Sequence, residues 1–229
     1  MNNLTVTKSN NLLDASYRLN AQAQKFLLCC IAKVNPEDRP RKTMTITASQ
    51  FAELMGIDLK IAYRDLYDAA DSLFNSSIIL KEDNEDIELV WIQKKAKKIK
   101  GEGQVTITWS DDVLKYLTQL SSKFKSYQLR QIANLDSAHA IRLYEILIRF
   151  EDTGWREMRV EDFKIAMGVT GKYIQYKELN RRVLSPAIKQ INKHSNLTVT
   201  LTPKKRGLKI YKLRFDFTVD DQMELPLND

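Results

Sequence analysis

The sequence predicts an α+β protein of two similar domains that are related by internal duplication. A seven-residue phrase occurs twice, as FAELMGI over residues 51–57 and as FKIAMGV over residues 163–169. The same succession of helical and β-rich segments surrounds each copy, so chance recurrence of the phrase is the weaker explanation. The chain has 229 residues, enough for two domains of about 100 residues each.

The first half opens with an amphipathic helix over residues 20–33, and a strand then leads into the first phrase. Thr47 and Gln50 have the spacing of a capping box, which predicts the start of a short helix. Gly56 predicts its end, because glycine adopts the left-handed cap conformation at little cost. A longer helix is predicted over residues 59–75. Its apolar face consists of Leu66, Ala70, Leu73 and Phe74. The β-rich segments that follow are SSIIL, IELVWIQKKAKKIK and GQVTITW.

The second half repeats this order. It opens with an amphipathic helix over residues 137–150, followed by the candidate strand WREMRV and the short helix EDFKIAMG, which ends at Gly168. The segment YKELNRRVLSPAIKQINKHS is a longer helix, and the turn TPKKRG joins the strands NLTVTL and LKIYKLRFDF. Short helix, glycine turn, longer helix and hairpin are the succession of a winged helix-turn-helix. We therefore expect two tandem winged helix-turn-helix domains, with Phe51 and Phe163 as core anchors.

The two halves differ in charge. The Ser/Lys-rich segment SSKFKSYQ predicts a boundary that leaves residues 1–122 as the first domain, 123–222 as the second and 223–229 as a tail. The first 122 residues contain 16 basic and 16 acidic side chains, whereas the remainder contains 20 and 13. Residues 171–212 alone contain eleven lysines and arginines and one acid, Glu178. A stretch with this excess of positive charge predicts a polyanionic partner. Taken together with the helix-turn-helix pattern, this partner is expected to be double-stranded DNA.

Composition excludes several classes of protein. No apolar run approaches the roughly 18 residues of a membrane span. The polar start MNNLTVTKSNN lacks a secretory pattern, so a cytoplasmic protein without a membrane partner is expected. Cys29 and Cys30 are adjacent in an apolar segment and are expected to be buried thiols. No phosphate-binding glycine loop is present, and His139 and His194 are isolated in sequence. We therefore expect a protein that is not an enzyme and has no catalytic site, metal or cofactor.

A DNA-reading helix is predicted over residues 175–194. Its core face consists of Leu179, Val183, Ala187 and Ile191. The residues predicted to read base edges are Lys177 and Arg181, near the helix start. The residues predicted to meet phosphates are Arg182, Lys189 and Lys193. Tyr173 and Tyr176 could hydrogen-bond phosphate or simply pack against the domain.

Two further features accompany this helix. Pro186 lacks the N–H of a regular helix, so the helix is expected to bend or break near Ser185. Alternatively, Ser185 caps a fresh helix with Pro186 at its first position. The tip of the following hairpin carries Lys204, Lys205 and Arg206, which predicts a wing that contacts the DNA backbone or minor groove. A solvated basic turn is the alternative for these three residues.

The first half is less plainly a DNA reader. Its second helix carries Lys60 and Arg64, but acidic residues that phosphate would repel share that helix. These acidic residues are Asp65, Asp68 and Asp71. The basic cluster KKAKKIK, with Lys94, Lys95, Lys97, Lys98 and Lys100, is expected on the hairpin. We expect weak or accessory DNA contacts here, and self-association through the apolar β-segment IELVWIQ.

The sequence also resembles a known family. The stretches SNNLLDASYRLNAQAQKFLL, NLDSAHAIRLYEIL and YKELNRRVLSPAIKQINKHSNLTVTL are similar to those of plasmid replication initiators with paired winged helices. These are the Rep proteins of theta-replicating, iteron-containing plasmids. The resemblance covers about residues 8–218, nearly the whole chain. In it, Arg181 and Arg182 match basic positions of the family's recognition helix, and KKRG matches its basic hairpin.

This resemblance implies a function. Such proteins bind directly repeated origin sequences (iterons) as monomers, open the strands locally, and recruit the host initiator and replicative helicase; host chaperones are a further implied partner. As dimers, many repress their own gene through an inverted repeat. The resemblance implies that the first domain dimerises and that the second makes the main major-groove contacts.

Two other functions are compatible with parts of the sequence. A tandem winged-helix transcriptional regulator without a replication role would need the same basic surface. A rolling-circle enzyme would nick DNA through a tyrosine and a His-rich metal motif, and the two isolated histidines disfavour it.

Overall fold

The computed structural model describes residues 4–34, 42–82, 85–98, 101–118 and 124–220. Lys100 and the tail at residues 223–229 lie outside these ranges. The chain divides into two compact units, residues 1–134 and 135–229. None of the helices in the described ranges is long and apolar enough to cross a membrane.

The first unit combines helices with three antiparallel sheets in its described residues. Its elements are β1 (Thr5–Ser9), α1 (Asn10–Asp14), β2 (Ser16–Tyr17), α2 (Ala21–Ala32), β3 (Thr43–Thr47), α3 (Ala48–Met55), α4 (Leu59–Phe74), β4 (Ser77–Glu82), β5 (Glu85–Val90), β6 (Ile92–Lys97), β7 (Gln104–Trp109), α5 (Asp111–Thr118), β8 (Phe124–Gln128) and α6 (Arg130–Ala133). The sheets have the strand orders β1-β8, β2-β4-β5 and β3-β7-β6. All of their strand pairs are antiparallel.

The second unit is simpler, with one three-stranded antiparallel sheet in the described residues. Its elements are α7 (Ala138–Ile148), β9 (Trp155–Arg159), α8 (Val160–Ala166), α9 (Tyr176–Leu179), a π-helical turn (Asn180–Leu184), α10 (Ser185–His194), β10 (Leu197–Arg206) and β11 (Lys209–Val219). Strands β10 and β11 form a long hairpin, and β9 pairs with β11 in the order β10-β11-β9.

Both units contain the same winged helix-turn-helix topology, as predicted. In each, a strand leads into a short helix, a longer helix and a hairpin, and the leading strand pairs with the second hairpin strand. These leading pairs are β3 with β7 and β9 with β11. Phe51 and Phe163 are both buried, against Phe26 at 6.4 Å and Phe215 at 5.7 Å between ring centroids. The prediction that the repeated phrase anchors two cores is confirmed.

The capping signals on either side of α3 form as predicted. The Thr47 hydroxyl accepts from the Gln50 N–H, and the Gln50 side chain accepts from the Thr47 N–H, both at 3.2 Å. Gly56 ends α3 with φ +60°. On α4, the residues predicted to face the core are buried except Phe74, which is 38% exposed at the end of the helix.

The segment IELVWIQKKAKKIK forms two strands in different sheets rather than one. Strand β5 pairs with β4, and β6 pairs with β7. Trp91 lies between them, is fully buried and packs edge-on against Tyr17 at 5.3 Å. The β4–β5 hairpin is additional to the winged-helix elements, and the described residues of the second unit have no counterpart to it.

The boundary between the units falls later than residue 122. Residues 121–123 lie outside the described ranges, but residues 124–128 form β8 and pair with β1 near the start of the chain. Thr7 and Ser126 share a hydrogen bond of 2.9 Å, and the Leu129 N–H donates to Leu4 O at 2.9 Å. This pairing joins the segment to the first unit.

The opening helices are buried on nearly all sides and not on one amphipathic face. Every side chain of α7 from Ala140 to Ile148 is buried, including Arg142 and Glu145. Their charged groups lie 3.5 Å apart, and Arg142 Nε donates to the Ala166 carbonyl at 2.9 Å. A buried charge is tolerated when it is paired and hydrogen-bonded, which explains how polar residues occur inside this helix.

Candidate nucleic-acid interface

The longer helix of the second unit, residues 176–194, is irregular at its centre. The Ser185 N–H donates to Asn180 O, five residues back, which is the π-helical pattern. Pro186 follows directly and has no N–H to donate, so the widened turn accommodates it. The predicted irregularity near Ser185 is confirmed. A new α-helix, α10, starts at Ser185 with Pro186 in its first turn, as the alternative predicted. The predicted capping by Ser185 is wrong, because Ser185 has helical φ −61° and ψ −46° and α10 has no side-chain cap.

This helix has the two faces that its sequence predicts. The predicted core residues Leu179, Val183, Ala187 and Ile191 are at most 1% exposed. The π-helical turn also buries Leu184, which the regular pattern did not include. The basic side chains on the other faces are exposed, namely Lys177, Arg181, Arg182, Lys189 and Lys193.

Glu178 holds two of these cations together. Its carboxylate accepts from Arg182 Nε at 2.8 Å and from Arg181 Nη2 at 3.0 Å. These hydrogen bonds, from Arg182 first and Arg181 second, lower the pKa of Glu178 below its usual value. All three side chains stay accessible, at 37% for Glu178, 61% for Arg181 and 57% for Arg182. The only acid of residues 171–212 therefore sits within the predicted reading surface.

The two tyrosines before the helix differ in their surroundings. Tyr173 is partly exposed and has a left-handed backbone, with φ +51°, which is unusual for a residue with a Cβ. Tyr176, at the first position of α9, is partly buried, and desolvation raises the pKa of its hydroxyl. Its burial favours packing as the role of Tyr176, whereas the position of Tyr173 leaves either role open.

The wing is the β10–β11 hairpin, and Lys204, Lys205 and Arg206 are exposed at its end. Lys204 pairs with Glu157 of β9 at 2.5 Å, and Lys212 pairs with the same carboxylate at 2.7 Å. These two hydrogen bonds lower the pKa of Glu157 to about 2. Sequence reasoning missed Glu157, because only the sheet register places β9 beside the hairpin.

The first unit has fewer exposed cations on its corresponding helix. Lys60 and Arg64 lie exposed near the start of α4, and Arg64 Nε donates to Asp65 at 3.0 Å. Asp71, further along α4, pairs with both Lys95 and Lys97 of β6. These contacts lower the pKa of Asp71. Part of the predicted basic cluster on the hairpin is therefore neutralised within the unit.

The side chains that could bind a metal ion are scattered through the described ranges. No three His, Cys, Asp or Glu side chains in those ranges are grouped so that they could hold a metal ion. Cys29 and Cys30 are fully buried, and burial raises the pKa of Cys29 to about 12. The exposed cations of the basic surface, by their charge, suit it to bind anions.

Comparison with protein families identifies the chain. Residues 5–148 match the family model described as Initiator Replication protein, WH1, and residues 159–217 match Initiator Rep protein, WH2. The chain belongs to this family of replication initiators. The first match covers the first unit and continues through α7 of the second, and the second match covers β9 to β11. Together they confirm the resemblance to plasmid replication initiators. The initiator is thus a DNA-binding protein of two winged-helix domains.

Individual relatives agree with the family. The initiator is 29% identical to a Replication initiation protein from Escherichia coli, over 98% of this chain and 73% of the relative. It is 23% identical to the PI protein of the same species, over 93% and 82% of the two chains. A crystal structure of the Pi initiator protein in complex with iteron DNA matches it with a TM-score of 0.84, covering 97% of this chain and 100% of that one, at 23% identity. Domains 2 and 3 of RctB match with a TM-score of 0.57, covering 88% and 83%, at 10% identity.

Proposed function

We propose that this initiator binds directly repeated origin sequences, or iterons, in double-stranded plasmid DNA and starts replication there. The observation that supports this most is the exposed basic surface of residues 176–194 and the wing, on a fold shared with an initiator solved on iteron DNA. In this proposal residues 176–194 enter the major groove and the wing follows the adjacent backbone or minor groove.

The side chains divide by role. Lys177 and Arg181, near the start of the reading helix, contact base edges. Phosphate contacts are assigned to the other basic residues, with Tyr173 as a further donor. These basic residues are Arg182, Lys189, Lys193, Lys204, Lys205 and Arg206. Phosphate contacts fix the position of the protein, while base contacts select the sequence.

A DNase footprint on the DNA that flanks the initiator's own coding sequence tests the proposal. Protection across several tandem direct repeats is the expected result, and it would fix the repeat length. Protection of a single inverted repeat over the promoter would instead indicate a transcriptional regulator. Weak protection of all the DNA that disappears at modest salt would mean that the basic surface attracts DNA by charge alone and does not select a sequence.

Two substitutions separate the roles within the surface. Arg181→Ala should cost about 1–3 kcal/mol on the footprinted repeat and much less on a scrambled duplex, because it removes a base contact. Lys204→Ala should weaken binding to both duplexes equally and make the salt dependence shallower by about one. If Arg181→Ala loses the same affinity for both duplexes, Arg181 contacts a phosphate and not a base edge.

The first domain is proposed to dimerise and to make accessory DNA contacts through Lys60 and Arg64. Among the described residues strand β5 is an edge of its sheet, and Val90 at its end is 52% exposed, so this edge could pair with a second copy. Dimers would repress the initiator's own gene at an inverted repeat. Sedimentation of the full chain at rising concentration should show dimers, and Val90→Lys should shift the equilibrium to monomers. A monomer at all concentrations would exclude this part of the proposal.

The remaining partners rest on the family resemblance. In this proposal the initiator works in the cytoplasm, recruits the host initiator and replicative helicase, and is handled by host chaperones. It binds DNA without cutting it. Supercoiled origin DNA incubated with the protein and magnesium or manganese should therefore stay supercoiled, and metal-dependent relaxation would indicate a nicking enzyme.

A further inference from the structure

Two apolar side chains are far more exposed than any other large apolar residue in the described ranges. Ile174 is 90% exposed and Leu208 is 101% exposed, whereas the next values are 52%. Single exposed apolar residues are common on protein surfaces. These two, however, both fall within residues 171–212, the most basic stretch of the chain.

The exposure of Leu208 has a local explanation. Gly207 and Leu208 form the two-residue turn between β10 and β11, with Arg206 paired to Lys209 across it. Gly207 has φ +61°, as expected for a glycine at the first turn position of this kind of hairpin. A side chain at the tip of such a turn projects into solvent, so Leu208 carries no inference.

Ile174 has no such explanation. It lies between α8 and α9, in a segment where Gly171 has φ +75° and Tyr173 has φ +51°. Tyr173 is the single non-glycine residue with positive φ in the described ranges. A left-handed conformation is unfavourable for a residue with a Cβ, and such conformations concentrate at functional sites. The segment thus combines an unfavourable backbone with an apolar side chain held in water.

The position of Ile174 indicates what it contacts. It lies two residues before α9, where a helix-turn-helix protein comes nearest to base edges. The neighbouring exposed cations Lys172 and Lys177 favour DNA as the occupant over an apolar protein surface. In the major groove, the apolar feature of a base edge is the C5-methyl group of thymine.

We propose that Ile174 packs against a thymine methyl group in the major groove of each bound repeat and so contributes to sequence selection. This inference rests on the proposed function, and it adds a specificity residue of a chemical type different from the cations. Apolar contact with the thymine methyl distinguishes thymine from the other bases without a hydrogen bond.

Replacement of thymine by deoxyuridine tests the proposal, because it removes the methyl group and leaves base pairing and the minor groove unchanged. The probe is a duplex of one footprinted repeat in which each thymine is replaced in turn, and affinity is measured by fluorescence anisotropy. The native protein should lose about threefold to fivefold at one position, the value expected for one buried methyl group. Ile174→Ala should bind the unmodified repeat more weakly by a similar factor and show no further loss at that position.

Leu208→Ala is the matched control, since it truncates the other exposed apolar side chain of the same domain. It should keep the full loss on deoxyuridine at the same position. Equal affinity of the native protein for every substituted duplex would overturn the proposal, as would an undiminished loss in Ile174→Ala. If the native protein fails to distinguish the repeat from a scrambled duplex, the proposed function fails as well; if it distinguishes them without methyl dependence, only the role of Ile174 fails.

Discussion

The carboxylate of Glu178 should limit the affinity of this initiator for DNA, and Glu178→Gln should remove that limit. Glutamine keeps the shape and one acceptor oxygen but loses the charge that pairs with Arg181 and Arg182 at 3.0 and 2.8 Å. In the free protein both guanidinium groups are held by this carboxylate. If these arginines contact DNA as proposed, the same carboxylate would come close to the phosphates and repel them.

The size of the effect follows from the exposure of the pairs. All three side chains are at least 37% exposed, so each pair is screened by water. Exposed pairs change an equilibrium constant by about 1.4-fold to fivefold each, and the two together by roughly twofold to 25-fold. Glu178→Gln should therefore bind any duplex tighter by a factor in this range. The slope of log affinity against log salt should become steeper by about one.

Fluorescence anisotropy on the footprinted repeat and on a scrambled duplex, over a salt series, measures both quantities. Glu53→Gln, exposed on α3 of the first domain, changes the net charge equally and should have a smaller effect on both duplexes. The opposite result would refute the reasoning, namely weaker binding to the repeat with unchanged binding to the scrambled duplex. It would mean that the carboxylate accepts a hydrogen bond from a base, as acidic side chains do from cytosine.

Further predictions concern stability and reactivity. Two lysines lower the pKa of Glu157 to about 2, so its stabilising contribution is complete above pH 4.5 and is lost as the pH falls towards 2. The difference in melting temperature between the native protein and Glu157→Gln should therefore shrink between pH 4.5 and pH 2. A difference that stays constant over this range would contradict the prediction. Phe163→Ala should destabilise the second domain by about 3–5 kcal/mol, and Phe51→Ala should destabilise the first domain by a similar amount, as measured for each domain in a denaturant titration. A loss below about 1 kcal/mol would show that the phenylalanine of the repeated phrase is not a core anchor. Cys29 and Cys30 should react with a thiol reagent only on unfolding, because burial raises their pKa values and excludes the reagent; rapid reaction of the native protein would be inconsistent with this burial.

The features that sequence reasoning predicted correctly are local ones. The capping box at Thr47 and Gln50 and the buried stripe of residues 179–191 depend on residues a few positions apart. The irregularity before Pro186 likewise follows from one missing N–H. The overall fold could be predicted because similar local signals surround both copies of the repeated phrase.

The features that escaped prediction depend on residues far apart in sequence. Thr7 and Ser126 meet across 119 positions, which no periodicity indicates, and their strands move the domain boundary. The pairing of Lys95 and Lys97 on β6 was not predicted, because their partner Asp71 lies on another element. Glu157 likewise reaches the wing only through the register of its sheet. Charge could therefore be counted from the sequence, but its pairing could not.

The pairing of β1 with β8 has a mechanical consequence. The strands are antiparallel, with Thr5 opposite Gln128 and Ser9 opposite Phe124. The chain's start and the connection to the second domain therefore leave the ladder at the same end. Tension between these two points loads one residue pair of the ladder at a time and unzips it, instead of shearing all of its hydrogen bonds together. A fully paired ladder is thus pulled in its weaker, unzipping direction when the initiator is stretched between its N-terminal strand and its second domain.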